Sequence, residues 1–337
     1  MRRPIRSPRL ATLCLQGNTA DSTRDNPARI AILSEALSHL REQRDWHPLD
    51  AVLLPGGYFR LSRTLGALPF EQRKRQLEQE PFASSIGDQL EQLQCLSPGL
   101  RLVVGVMATP RHKAERTEQA CIAFGREGVI GLARKMFPTT AEGRGRRYMS
   151  PCIDDFSSKH RFVTLSNGSL ALLNSCYDLF GAADGITTIG SRRLAIRALR
   201  QGKNHVTHRD AGFSSVRHLA LSAWSSLVTE QQPDVLLASI HAFERPGLDG
   251  YWQRHGIARA SAGFKGALAL GAAHFLERLP DDGSTLAAMG VPRSALSAGV
   301  NRRAFSLAAA RALAWRTQQG PSILLRLFAA RQRRAGR

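Results

Sequence analysis

Cysteine is sparse in this chain, with five in 337 residues. So low and odd a count excludes a disulfide scaffold, and free thiols fit a reducing, cytoplasmic setting. No run approaches the ~18 consecutive apolar residues of a membrane-spanning helix, so no membrane span is expected. Acidic residues are in deficit: 27 Asp plus Glu stand against 47 Lys plus Arg, a net charge of +20. Such a balance favours polyanions. The excess is scattered Arg, however, and no aromatic residues interleave with the basic clusters as a single-strand stacking platform requires. A nucleic-acid partner is therefore not the expectation. Metal-ligand spacing is also missing: His205 and His208 are close, but no further Cys, His or carboxylate pattern joins them. Neither a metal nor a cofactor is expected. What remains is globular, with 43% apolar and 22% charged residues, enough for a sizeable core.

Short apolar runs punctuated by turns dominate the first two thirds. Residues 10–15, 50–54, 102–106, 120–124, 129–133 and 234–240 read as buried strands. Residues 161–165 and 169–174 read as a hairpin around Asn167-Gly168. Ile30, Leu33, Leu37 and Leu40 give residues 28–42 a helical apolar face. The charged stretch 69–93 is helix-like, and 257–271 reads as a small-residue helix leading into a strand. Alternation of this kind predicts an α/β fold with a mostly buried sheet. In the last third, 305–316 and 323–334 are rich in Ala, Leu and Arg and predict a basic helical tail. There is no internal repeat and no clear linker.

Four constellations could carry chemistry. Cys176 follows an apolar strand in Asn174-Ser175-Cys176-Tyr177-Asp178. A strand end is where α/β enzymes hold nucleophiles, and N–H groups beyond it can receive an oxyanion. A buried structural thiol is the plain alternative. Lys135 lies just past another apolar strand, where a cation could hold an oxyanion or lower a thiol pKa. A solvated strand-end Lys is its plain alternative. Glu142 sits in a Gly- and Arg-rich loop seven residues on, and could pair with Lys135 or simply face solvent. Pro55-Gly56-Gly57 ends the second strand, where the glycines permit close backbone approach or merely turn the chain.

In order and spacing these pieces resemble the carbon–nitrogen hydrolase (nitrilase/amidase) superfamily. Gln16 and Asn26 match its opening positions, residues 53–59 its second strand, 102–106 its next strand, and 125–135 the hairpin that delivers Lys. Residues 174–178 match its Cys-Tyr-Asp motif and 233–238 a later strand. Trp252-Gln253-Arg254 with 258–260 is similar to the helix behind that strand. The likeness covers about residues 10–275. It implies a four-layer α-β-β-α sandwich, usually paired through helices into a homodimer, with a Glu-Lys-Cys triad and often a second Glu. Carried over, Cys176 is the nucleophile, Lys135 the oxyanion cation, Glu142 the second glutamate, and the Tyr177 N–H an oxyanion donor. The implied reaction is hydrolysis of a non-peptide C–N bond in a small amide or nitrile through a Cys thioester.

The chain departs from this pattern at Gly56, which stands where the first catalytic Glu belongs. Either another carboxylate substitutes, Glu142 being the first candidate, or the protein is an impaired, ligand- or partner-binding relative. If the missing acid limits the chemistry, Gly56→Glu should raise hydrolysis. The expected organisation is a hydrolase-like region at 8–275 with an insertion at 181–213, then a basic extension at 276–337. A flavodoxin-like amidotransferase is the less favoured alternative, because Cys95 in Gln94-Cys95-Leu96 lacks the flanking glycines of a nucleophile elbow. A polyanion-binding protein using the Arg clusters is the other.

Overall fold

The computed structural model describes residues 6–17, 25–66, 68–108, 117–135, 158–176, 178, 231–241, 268–275 and 305–332. The predicted insertion at 181–213, Glu142, Tyr177, Trp252-Gln253-Arg254 and 258–260 lie outside these residues.

The apolar runs form the expected strands. Strands β1 (Arg9–Gln16), β2 (Ala51–Leu53) and β3 (Phe59–Leu61) are joined by helix α1 (Asn26–Glu42) and the turn at Gly56-Gly57. Helices α2 (Phe70–Glu78) and α3 (Pro81–Leu93) follow. The single helix-like stretch 69–93 is thus broken in two, because Pro81 suits a first helical turn but not a helix interior. Strands β4 (Arg101–Ala108), β5 (Glu118–Gly125) and β6 (Gly128–Arg134) make a meander, and β7 (Phe162–Thr164) and β8 (Leu170–Ser175) the predicted hairpin. Strands β9 (Val235–Ile240), β10 (Leu268–Phe275), β11 (Phe305–Arg316) and β12 (Ser322–Gln332) complete the described elements.

Strands β1, β2, β4, β5 and β6 lie side by side in the order β6-β5-β4-β2-β1, with β12 and then β11 beyond β1, and β3 beside β4. A second layer runs β10-β9-β8-β7. It meets the first at one end, where Leu15 and Gln16 of β1 pair with His274 and Phe275 of β10. Side chains alternate between two cores. Leu13, Val52, Leu102, Val104, Ile122 and Leu325 pack with the apolar faces of α1 and α3. Leu53, Val103, Cys121, Ala123 and Ala133 face Leu173, Leu237 and Leu270 of the second layer. Burial on both faces is why these strands read as continuous apolar runs. A helical layer, a sheet and a second sheet are therefore stacked. Among the described residues no helix is long and apolar enough to cross a membrane.

The helical tail is not observed. Residues 305–316 and 322–332 form an antiparallel hairpin, and β12 pairs with β1 from Arg9 to Leu15. Ala, Leu and Arg favour helix in isolation. Here Ile323, Leu325 and Leu327 alternate into the helix-side core while Phe328 enters the inter-sheet core. Burial with period two overrides that local preference.

Candidate active site

The site gathers at the C-terminal ends of β2, β6, β8 and β9. One glycine contact brings the two layers together there, and another packs β4 against the turn after β2 in the first sheet. A Cβ on Gly131 of β6 would collide with Val163 and stand 3.1 Å from Leu173 Cδ1, so β6 lies directly against β7 and β8. A Cβ on Gly105 of β4 would collide with the Pro55 carbonyl and Gly56 Cα. Lys135 is four residues past Gly131, and Cys176 three past Leu173. The strands bearing the two residues therefore face each other across the inter-sheet core rather than sharing one sheet.

Cys176 ends β8 with φ of 52°, a left-handed conformation rare for a residue with a side chain. Its N–H donates to the Ser239 carbonyl at 2.8 Å, and the residue is 4% exposed. Such strain at a strand end is a recurrent mark of functional residues, because it turns the side chain out of the strand's alternation. Lys135 is 1% exposed. Its ammonium donates to Gln119 Oε1 at 2.8 Å, and its backbone N–H to the Gln119 carbonyl at 2.8 Å. A Lys buried so deeply is not the solvated strand-end residue of the plain alternative.

One guanidinium ties these two ends together. Arg161 is wholly buried; its Nη2 donates to the Arg134 carbonyl at 2.6 Å, and its Nη1 lies 3.7 Å from Oδ2 of the buried Asp178. It thus spans the residue before Lys135 and the residue two beyond Cys176. Sequence reasoning passed over Arg161, a lone Arg at the start of a predicted hairpin strand with no local signal of burial. Asp50 sits at the opposite end of β2, where it accepts from Arg6 Nη2 at 2.6 Å and the Arg9 N–H at 2.8 Å. It takes no part here.

The structure leaves little room for the Gly56→Glu change that the sequence suggested. The backbone at Gly56 is hydrogen-bonded into the second layer, its N–H donating to the Ile240 carbonyl at 2.9 Å. A Cβ there would stand 2.5 Å from His241 Nδ1 and 2.8 Å from the His241 backbone nitrogen. The space a side chain at 56 would enter is thus occupied, so a Glu at 56 requires the ends of β2 and β9 to separate. His241 itself was overlooked in the sequence, although it follows the buried strand at 234–240 at the type of strand end that singled out Cys176.

A second thiol lies nearby. Cys121 Sγ is 3.4 Å from Ser239 Oγ, which donates to the Leu54 carbonyl at 2.9 Å. Burial pushes the Cys121 thiol up to about 12. Cys14, between β10 and β12, is likewise raised by burial, to about 11. Neither can supply a thiolate near neutral pH. Among the described residues no group of three His, Cys, Asp or Glu could hold a metal ion.

No family model matches the sequence, and no curated protein matches it. Solved structures to which the chain is similar include the NitN amidase from Neterenkonia sp. AN1, at 12% identity and a TM-score of 0.45 over 94% of this chain and 91% of that one. Another is an N-terminal amidase with an Asn-Glu-Ala peptide, at 10% identity and a TM-score of 0.39 over 70% of this chain and 48% of that one. A third is the glutamine-dependent NAD+ synthetase from Acinetobacter baumannii, at 10% identity and a TM-score of 0.39 over 79% of this chain and 38% of that one.

Proposed function

We propose that this protein hydrolyses a non-peptide C–N bond, of the amidase or nitrilase type, through a thioester on Cys176. The observation that carries the reading is the left-handed Cys176 at the end of β8, in a layer packed against the strand that buries Lys135. The Cys176 thiolate attacks the carbonyl or nitrile carbon. Lys135 and the Tyr177 N–H hold the negative charge that develops on oxygen or nitrogen, the type of preorganised stabilisation worth the most in a dry site. Glu142 serves as the second glutamate. Ammonia or an amine leaves, and water releases the acid. The fold proposal is the full four-layer sandwich, over residues 8–275 with the 181–213 insertion. The 276–337 extension is joined to it through β12, and two copies form a homodimer.

A second reading is favoured by one observation. With the Gly56 side-chain volume filled by His241, the triad's first carboxylate has no place, as in an impaired, ligand-binding relative. The test is incubation of the full chain with a panel of small amides, nitriles and activated esters, following ammonia or alcohol release and intact mass. We expect an acyl adduct on Cys176, absent in Cys176→Ala and slower to form in Lys135→Met. A folded protein giving neither adduct nor product with any of them would refute hydrolysis and leave the binding reading.

A further inference from the structure

We infer that His241 is the proton-transfer partner of Cys176, supplying from β9 what the superfamily pattern places at position 56; the inference rests on the hydrolase reading. Strands β8 and β9 run parallel with Ser175 opposite Ser239, and the Cys176 N–H bonds to the Ser239 carbonyl. His241 is therefore two residues beyond the backbone group that anchors the nucleophile. Val235 and Leu237 point into the inter-sheet core, and Ser239 reaches Leu54 and Cys121 across it. The two-residue period carries His241 to the same side. There its imidazole fills the space that a side chain on Gly56 would enter. His241 is 6% exposed, at the end of the layers where β8 delivers Cys176. One proton-carrying side chain is thus exchanged for another in the same volume, from a facing strand.

Imidazole suits the task, because its ordinary pKa near 6.5 lets it take and return a proton near neutrality. His241 removes the Sγ proton as the C–S bond forms. When the tetrahedral adduct collapses, the C–N bond breaks and the imidazolium protonates the departing nitrogen. His241 then takes a proton from water, whose oxygen attacks the thioester, and the departing thiolate is reprotonated. One amide and one water become one acid and one amine, with no change of oxidation state.

The test uses p-nitrophenyl acetate as acyl donor, with nitrophenolate release and intact mass as readouts. In folded His241→Gln, Cys176 should acylate at least about 100-fold more slowly than in wild type, the usual scale of lost acid–base help. Added imidazole should restore part of the rate in His241→Gly, a rescue that a merely structural histidine would not show. If these variants do not fold, iodoacetamide alkylation of Cys176 in the wild type decides. Its rate should reach a plateau near neutral pH, although Cys121, Lys135, Arg161, Asp178 and His274 are also buried at this end. A rate that climbs only above pH ~8.5, as for an unassisted thiol, would overturn the inference. So would wild-type acylation rates in His241→Gln, especially beside a slow Glu142→Gln. No acylation of Cys176 even in wild type would overturn the hydrolase reading as well.

Discussion

The guanidinium of Arg161 stands 3.7 Å from the carboxylate of Asp178, and both side chains are wholly buried. A pair so placed gives little net stability, since desolvation of both charges offsets their attraction. Its value is geometric: with the bond to the Arg134 carbonyl it fixes the turn after Cys176 relative to the strand before Lys135. Removing one partner leaves the other charge uncompensated. Arg161→Met should cost about 3–5 kcal/mol, read from urea unfolding. Arg161→Met/Asp178→Asn should cost less than the sum of the single changes. Additive losses would show that the two groups are not coupled.

The buried thiols make a pH prediction. Folded Cys14 and Cys121 titrate at about 11 and about 12, raised by burial from 9.0. Between pH ~9 and those values the folded chain keeps protons that the unfolded chain has lost. Stability must then fall as pH rises. The loss should begin near pH 9, be absent at neutral pH, and shrink in Cys14→Val/Cys121→Val even if that variant is less stable overall. Urea midpoints from pH 7 to 10.5 check this. In the wild type at pH 7.5, exposed Cys95 should react with iodoacetamide while Cys14 and Cys121 stay unmodified until the chain unfolds.

Much of the first sheet was legible because its strands are buried on both faces. Leu102, Val103 and Val104 are apolar in succession for that reason, with Leu102 and Val104 in one core and Val103 in the other. Cys176 and Lys135 could be singled out as candidates because each follows such a run. What escaped the sequence depends on contacts between distant segments. Nothing near Arg161 signals that its charge is enclosed with Asp178, and nothing near Gly56 signals that a residue 185 positions later fills its side-chain space. The β11–β12 hairpin was misread because Ala, Leu and Arg carry a helical preference, which only pairing with β1 overrides.

That pairing makes the last segment part of the core. Strand β12 covers β1 from Arg9 to Leu15 and inserts Ile323, Leu325 and Leu327, each at most 1% exposed. Three such side chains contribute about 1.5–3 kcal/mol apiece, against a typical total stability of about 5–15 kcal/mol. A chain ending at residue 300 should therefore be insoluble, or show no cooperative thermal transition. In the intact protein the amides of β12 should be among the slowest to exchange. A soluble, cooperatively folding truncation would show that the hairpin only decorates the sheet. The smaller change Glu35→Ala should loosen the hairpin tip alone, since Glu35 accepts from Trp315 Nε1 at 2.8 Å and the Gln318 N–H at 3.1 Å.

Position 56 separates a missing acid from a site rebuilt around its absence. Were Gly56 simply a lost carboxylate, Gly56→Glu would bring activity back. The geometry argues the reverse. A Cβ there meets both the His241 ring and the His241 backbone nitrogen, and the backbone cannot rotate away as a side chain can. Overpacking of this kind costs about 1–3 kcal/mol. Gly56→Ala should already lower the melting temperature and slow Cys176 acylation by pushing the imidazole aside, although it removes no titratable group. Gly56→Glu should be worse on both counts. Melting curves beside p-nitrophenyl acetate burst rates check each variant. A Gly56→Glu protein as stable as wild type and faster in acylation would show that the ends of β2 and β9 separate easily, and that the space at 56 still belongs to a carboxylate.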